Sequence, residues 1–201
     1  YKRQLYGTGT IRKLGRVDHK DAFLDTDALE KARGITIFSK QALFTAGNTD
    51  FTLLDTPGHV DFSTETERTL QVLDYAILVI NGADGVQGHT RTLWSLLKRY
   101  QIPTFIFINK MDQVGTDKAK VLADLQNRLD EGCIDFSEMS EETYDSIAMC
   151  DEKAMEEYLE SEKVEEDTIA EMIGSRKVYP CYFGSALKIE GVQEFMDGMS
   201  A

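Results

Sequence analysis

Four short stretches hold residue types suited to one kind of chemistry. NKMD, Asn109–Asp112, follows the apolar run TFIFI. Asp112 can accept two hydrogen bonds from the N1 and N2 donors of guanine, a donor pair that adenine lacks. Lys110 can lay its aliphatic stem across a flat base, and Asn109 can tie the loop to its neighbours. A loop of solvated charges would read the same in isolation. Position argues for a site, because open parallel sheets bind ligands beyond the carboxyl ends of their strands.

DTPGHVDF, Asp55–Phe62, follows a second strand-like run, FTLLD. A carboxylate at a strand end can hold Mg²⁺ through water, and Gly58 lets a backbone N–H come close to a terminal phosphate. His59, just beyond, can orient an attacking water. The same letters also describe a Pro-Gly turn opening a helix, and for Asp61 an N-cap is the better reading. RGITI, Arg33–Ile37, adds Thr36, whose hydroxyl can complete a metal's coordination, although Thr is ordinary in strands. GSALK, Gly184–Lys188, follows a last apolar run, KVYPCYF. There the Ala186 N–H can donate to guanine O6, or the small residues can be plain turn material.

These stretches need a scaffold, and the intervening sequence describes one. Ile35–Phe44, the turn signal AGNTD and FTLLD read as a hairpin. Apolar runs then alternate with helical patterns: Asp61–Leu73, YAILVI, His89–Tyr100, TFIFI, Lys118–Leu129, KVYPCYF and a closing helix. That alternation predicts an α/β fold with a mostly parallel sheet and right-handed crossovers. With 201 residues, 42% of them hydrophobic, one compact domain is expected.

Net charge is −13, but the acidity is local: Glu138–Glu171 holds fourteen acidic residues against Lys153 and Lys163. Apolar residues at helical spacing among these carboxylates predict an acidic helical insertion over about 131–176, with a solvated face. The overall charge argues against a nucleic-acid partner, although the remainder outside this segment carries only about −1; no direct binding of DNA is expected. No apolar run approaches the roughly 20 residues of a membrane helix. Three widely spaced cysteines fit a reducing, cytoplasmic setting, and a monomer is expected.

Taken together, RGITI, DTPGHVDF, NKMD and GSAL resemble the switch I, switch II, base-recognition and base-edge motifs of the translational GTPases. The resemblance runs from Leu5 to the end and implies a P-loop NTPase-type sheet that binds GTP or GDP with Mg²⁺ and works on the ribosome. It implies Thr36 and Asp55 as metal-side residues, Gly58 at the γ-phosphate and His59 on the hydrolytic water. Asn109, Lys110 and Asp112 would select guanine, supported by Ser185, Ala186 and Leu187. Within the family, DTDALEKARGITIFSKQALF and NKMDQVGTDKAKVLADLQNRL look most like the ribosomal-protection proteins of tetracycline resistance. The 76 residues from Asn109 to Ser185 also look short for elongation factor G.

The family's glycine-rich phosphate loop, of GHVDAGKT type, is not found in the sequence. GTGTIRKLG, Gly7–Gly15, follows no apolar strand and lacks the GK[S/T] ending. Charge-assisted hydrogen bonds contribute roughly 1.5–3 kcal/mol each. Losing about five weakens binding by about five orders of magnitude, so these residues alone are expected to be inactive and their sheet to miss its first strand. The alternatives are a housekeeping elongation-factor-G-like GTPase, or a nucleotide-free interaction module derived from one. Tyr1–Gln4 can be encoded by the end of a sequencing-library adaptor, so residues 1–4 are expected to be a non-native scar and 5–201 a partial GTP-binding domain.

Overall fold

The computed structural model describes residues 40–46, 49–56 and 63–201. Thr36, Gly58, His59 and the start of the expected hairpin lie outside the described residues. The chain divides into two compact units, one through Leu73 and one from Asp74.

In the first unit, β1 (Lys40–Ala46) and β2 (Thr49–Asp55) form an antiparallel pair from Lys40↔Asp55 to Ala46↔Thr49. Alternation is clean in β1: Ala42 and Phe44 are buried while Gln41, Leu43 and Thr45 are exposed, as a strand with one covered face requires. Phe44 stacks on its cross-strand partner Phe51 with ring centroids 5.2 Å apart. Helix α1 (Ser63–Leu70) buries Thr66, Thr69 and Leu70 at helical spacing.

The second unit is a parallel four-stranded sheet flanked by helices, in the order β3-β4-β6-β5. Its strands are β3 (Ala76–Asn81), β4 (Thr104–Asn109), β5 (Cys133–Asp135) and β6 (Tyr179–Phe183). The helices are α2 (Gly88–Arg99), α3 (Lys118–Arg128), α4 (Glu141–Ala148), α5 (Glu152–Ser161), α6 (Glu166–Gly174) and α7 (Val192–Ser200). Ile106 and Ile108 of β4 are fully buried, and Phe105 and Phe107 nearly so, the signature of a strand covered on both faces. Phe195 of α7 sits 5.4 Å from both Phe107 and Tyr182 in tilted and edge-on contacts. Among the described residues, β2 pairs only with β1, and β3 only with β4.

Helices α3, α4 and α5 begin at short polar side chains that cap them. Asp117 accepts from Lys120 N–H, Ser140 from Thr143 N–H, and Asp151 from both Lys153 and Ala154 N–H. Helices α2 and α6 end alike, with Gln101 and Arg176 in the left-handed region and the chain reversing behind them. Ile102 N–H bonds to Leu97 O, and Lys177 N–H to Met172 O. The guanidinium of Arg176 then donates to Gln101 O at 2.9 Å, joining the two reversals.

One expectation needs correction. The segment from about 131 to 176 is not helical throughout, because it opens with β5, which pairs in parallel with β6 from Cys133↔Tyr179 to Asp135↔Cys181. Three residues are too few to show a period, and burial of Cys133 and Ile134 against the neighbouring strand decides the conformation. Helices α4 to α6 also bury an apolar face. Ile147, Ala148, Ala154, Met172 and Ile173 belong to the same buried cluster as Phe105, Phe107 and Phe195.

Candidate functional site

The carboxyl ends of β4 and β6 lie side by side, because Ile108 pairs with Phe183. The chain leaves β4 at Asn109 and turns at once: Lys110 takes a φ of 66°, a left-handed conformation that exposes its side chain at the strand end. Asn109 Oδ1 accepts from Lys110 N–H at 2.8 Å and from Ala186 N–H at 2.9 Å. Two facing donors fix which end of the amide is oxygen, so Nδ2 is turned away from them. The loop is stitched further by Met111 N–H to Gly184 O at 3.0 Å and Gly184 N–H to Ile108 O at 2.9 Å. Thr116 Oγ1 lies 2.8 Å from both Met111 O and Gln113 O, so its one proton closes the loop's far side.

The loop after β6 closes on itself. Ser185 and Glu190 exchange backbone hydrogen bonds at 3.0 and 3.1 Å. Two glycines permit this. A Cβ on Gly184 would collide with Glu190 O, and one on Gly191, at φ 71°, with Phe183 O. Ser185 is thereby buried at 1% exposure, while Leu187 stays exposed beside it.

Asp112 faces this second loop. The Ser185 hydroxyl donates to its carboxylate and holds it below the usual carboxylate range against desolvation, and Lys188 adds attraction from 3.8 Å. The group is therefore an ionised acceptor at neutral pH.

Asn109, Lys110, Asp112, Ser185, Ala186 and Leu187 thus come from two adjoining loops at one end of the sheet. Ala186 N–H, expected to serve a base oxygen, is held by Asn109 Oδ1. Asp55 ends β2 half-buried, in the other unit. Among the described residues no group of three or more His, Cys, Asp or Glu side chains could hold a metal, and no helix is long and apolar enough to cross a membrane.

Three contributors went unnoticed in the sequence: Lys188, Thr116 and Gly82. Gly82 N–H donates to Asn109 O at 2.8 Å, and a Cβ there would lie 2.6 Å from Met111 Sδ. Its position directly after YAILVIN, whose Asn81 is level with Asn109 on the next strand, was the available signal.

The family model for the elongation factor Tu GTP-binding domain matches residues 2–201. The chain belongs to this family of translational GTPases. It is 33% identical over 218 residues to tetracycline resistance protein TetP of Clostridium perfringens, covering 97% of this chain and 33% of that protein. TetM of Streptomyces lividans is 33% identical over 217 residues, with 98% and 34% coverage. Elongation factor G of Ureaplasma parvum is 32% identical over 247 residues, with 98% and 36% coverage. The chain therefore spans about a third of the length of these relatives. A solved crystal structure of a Thermus thermophilus protein superposes with a TM-score of 0.86 at 22% identity, covering 98% of this chain and 37% of that one. At that identity the match speaks for the fold alone.

Proposed function

We propose that this chain is the guanine-selecting part of a ribosome-associated GTPase, nearer to the tetracycline-resistance relatives than to elongation factor G. The observation that carries the guanine reading is the hydrogen bond from Ala186 N–H to Asn109 Oδ1, which binds NKMD to GSAL across 77 positions of sequence and sets Asp112 beside them. In this reading Asp112 accepts from guanine N1 and N2, Lys110 and Leu187 cover the ring faces, and Ala186 N–H is shared with O6. The subgroup reading is supported by alignment length: at equal coverage the match to elongation factor G runs to 247 positions, against 217 for TetM.

Thr36 and Asp55 supply oxygen donors, a set that suits Mg²⁺, and are proposed to hold it. That ion, when bound, neutralises charge on the phosphates. Gly58 is assigned to the γ-phosphate and His59 to the attacking water. Without a GK[S/T] loop in its sequence, this chain is proposed to bind weakly through the base and to lack hydrolytic activity by itself.

The test is nucleobase selectivity, followed by NMR shift changes on adding nucleoside diphosphates at millimolar concentration. GDP should bind in preference to ADP, and Asp112→Asn should exchange GDP for XDP, because the 2-carbonyl of xanthine needs a donor where guanine needs an acceptor. Equal response to GDP and ADP would overturn the assignment.

A further inference from the structure

We propose that Lys188 is a positioning residue for base recognition, with its ammonium holding the Asp112 carboxylate in place in the nucleotide-free chain and remaining as counter-charge once a base occupies that carboxylate. The proposal rests on the guanine reading above. Nothing in the sequence motif itself assigns Lys188 a role.

A carboxylate that accepts from a neutral base loses water without gaining a countercharge, and an unpaired desolvated anion is costly. The site therefore needs a cation that does not compete for the acceptor positions. A carboxylate offers about four lone-pair sites; Ser185 takes one, and N1 and N2 of guanine would take two. Lys188 Nζ stands 3.8 Å from Asp112 Oδ2, within ion-pair range and longer than the roughly 2.7–3.2 Å of an ordinary N–H···O hydrogen bond, so it occupies an acceptor position weakly at most. Among the described residues, it is the cation paired with Asp112.

The backbone sets the place of Lys188. Its N–H reaches Ser185 O at 3.1 Å and Ser185 Oγ at 3.4 Å. Ile189 follows at φ 66°, a conformation disfavoured for a β-branched residue. That strained turn, locked by the Ser185–Glu190 bridge, carries Lys188 back toward the NKMD loop. The lysine side chain is 53% exposed while that of Asp112 is 19% exposed, so the cation sits on the solvent side of its partner. The hydroxyl and the ammonium that face Asp112 both come from the loop after β6.

The experiment compares the 201-residue wild type with Lys188→Met and Lys188→Arg. It follows the carboxyl ¹³C titration of Asp112 without nucleotide and, separately, GDP affinity by NMR. Lys188→Met should raise the Asp112 midpoint and weaken GDP by about two- to fivefold, the range of an exposed pair. Lys188→Arg should restore both, which a merely structural role would not do. An unmoved midpoint in Lys188→Met overturns the proposal, as does a moved midpoint with unchanged GDP affinity. If the wild type itself fails to prefer GDP over ADP, the guanine reading is what has failed, and the role of Lys188 in it falls as well. The titration shows in that event whether the Lys188–Asp112 pair was nonetheless formed.

Discussion

Replacing Gly191 by Ala should unfold the region that joins β6 to α7. The left-handed conformation of this residue contributes roughly 1–2 kcal/mol of strain for an L side chain. Taken alone that is tolerable, since Lys110, Gln101, Glu162, Arg176 and Ile189 all adopt it. The added Cβ decides the outcome. It would collide with Phe183 O and lie 3.1 Å from both Gly184 Cα and Phe183 C, all main-chain atoms that cannot rotate away. Relief requires the two arms of the loop to part, which sacrifices the reciprocal Ser185–Glu190 hydrogen bonds at about 1 kcal/mol each. Together these put the loss at about 3–4 kcal/mol, a large share of the roughly 5–15 kcal/mol typical of a domain. Gly174 provides the control: it ends α6 with nothing within 4 Å of its would-be Cβ. Gly174→Ala should stabilise by up to about 1 kcal/mol. Urea unfolding of both variants, fitted with a common slope, reads the contrast. If Gly191→Ala unfolds within about 1 kcal/mol of wild type, the argument from backbone collision is wrong.

Two further outcomes are expected. The carboxyl of Asp151 is held below its usual range chiefly by its hydrogen bond from Lys177. A lowered folded value means its stabilising effect is complete above the ordinary carboxylate range and is lost as pH falls through the folded value. Asp151→Asn should therefore flatten the acid limb of stability measured by urea unfolding, and an unchanged limb would show that the pair contributes nothing. Cys133 and Cys181 have no exposed surface, while Cys150 is half-buried with its thiol pushed up by burial. Native alkylation followed by mass spectrometry should label Cys150 alone, slowly and faster with rising pH, and all three after denaturation; early labelling of Cys181 would contradict the packing of β6.

The sequence revealed most where burial is two-sided or chemistry is local. TFIFI could be read as a strand because a run of large apolar residues between turns has few other uses, and Ile106 and Ile108 are indeed fully buried. NKMD and GSAL could be read as loops at one end of the sheet because each follows such a strand, and the two do adjoin there. What stayed hidden depends on contacts made across the fold. Cys133–Asp135 carries no periodicity, and its conformation comes from pairing with β6. Lys188 looks like any surface lysine until the reversal at Ile189 turns it toward Asp112. Gly82 looks like the end of a strand until Met111 is seen to need its missing side chain.

The path of the acidic helices has a consequence for how this chain can vary. Strands β5 and β6 run parallel and adjacent, so the chain that leaves Asp135 at the carboxyl end of the sheet must re-enter at Tyr179 at the amino end. Any such return requires a crossover of a dozen or more residues, and α4, α5 and α6 form that return. They are a bridge in the topology and cannot be trimmed away like an appended lobe. Evolution can lengthen this bridge, or shorten it toward a single helix, but cutting it to a tight turn would reverse a strand and dismantle the end of the sheet that presents Asp112.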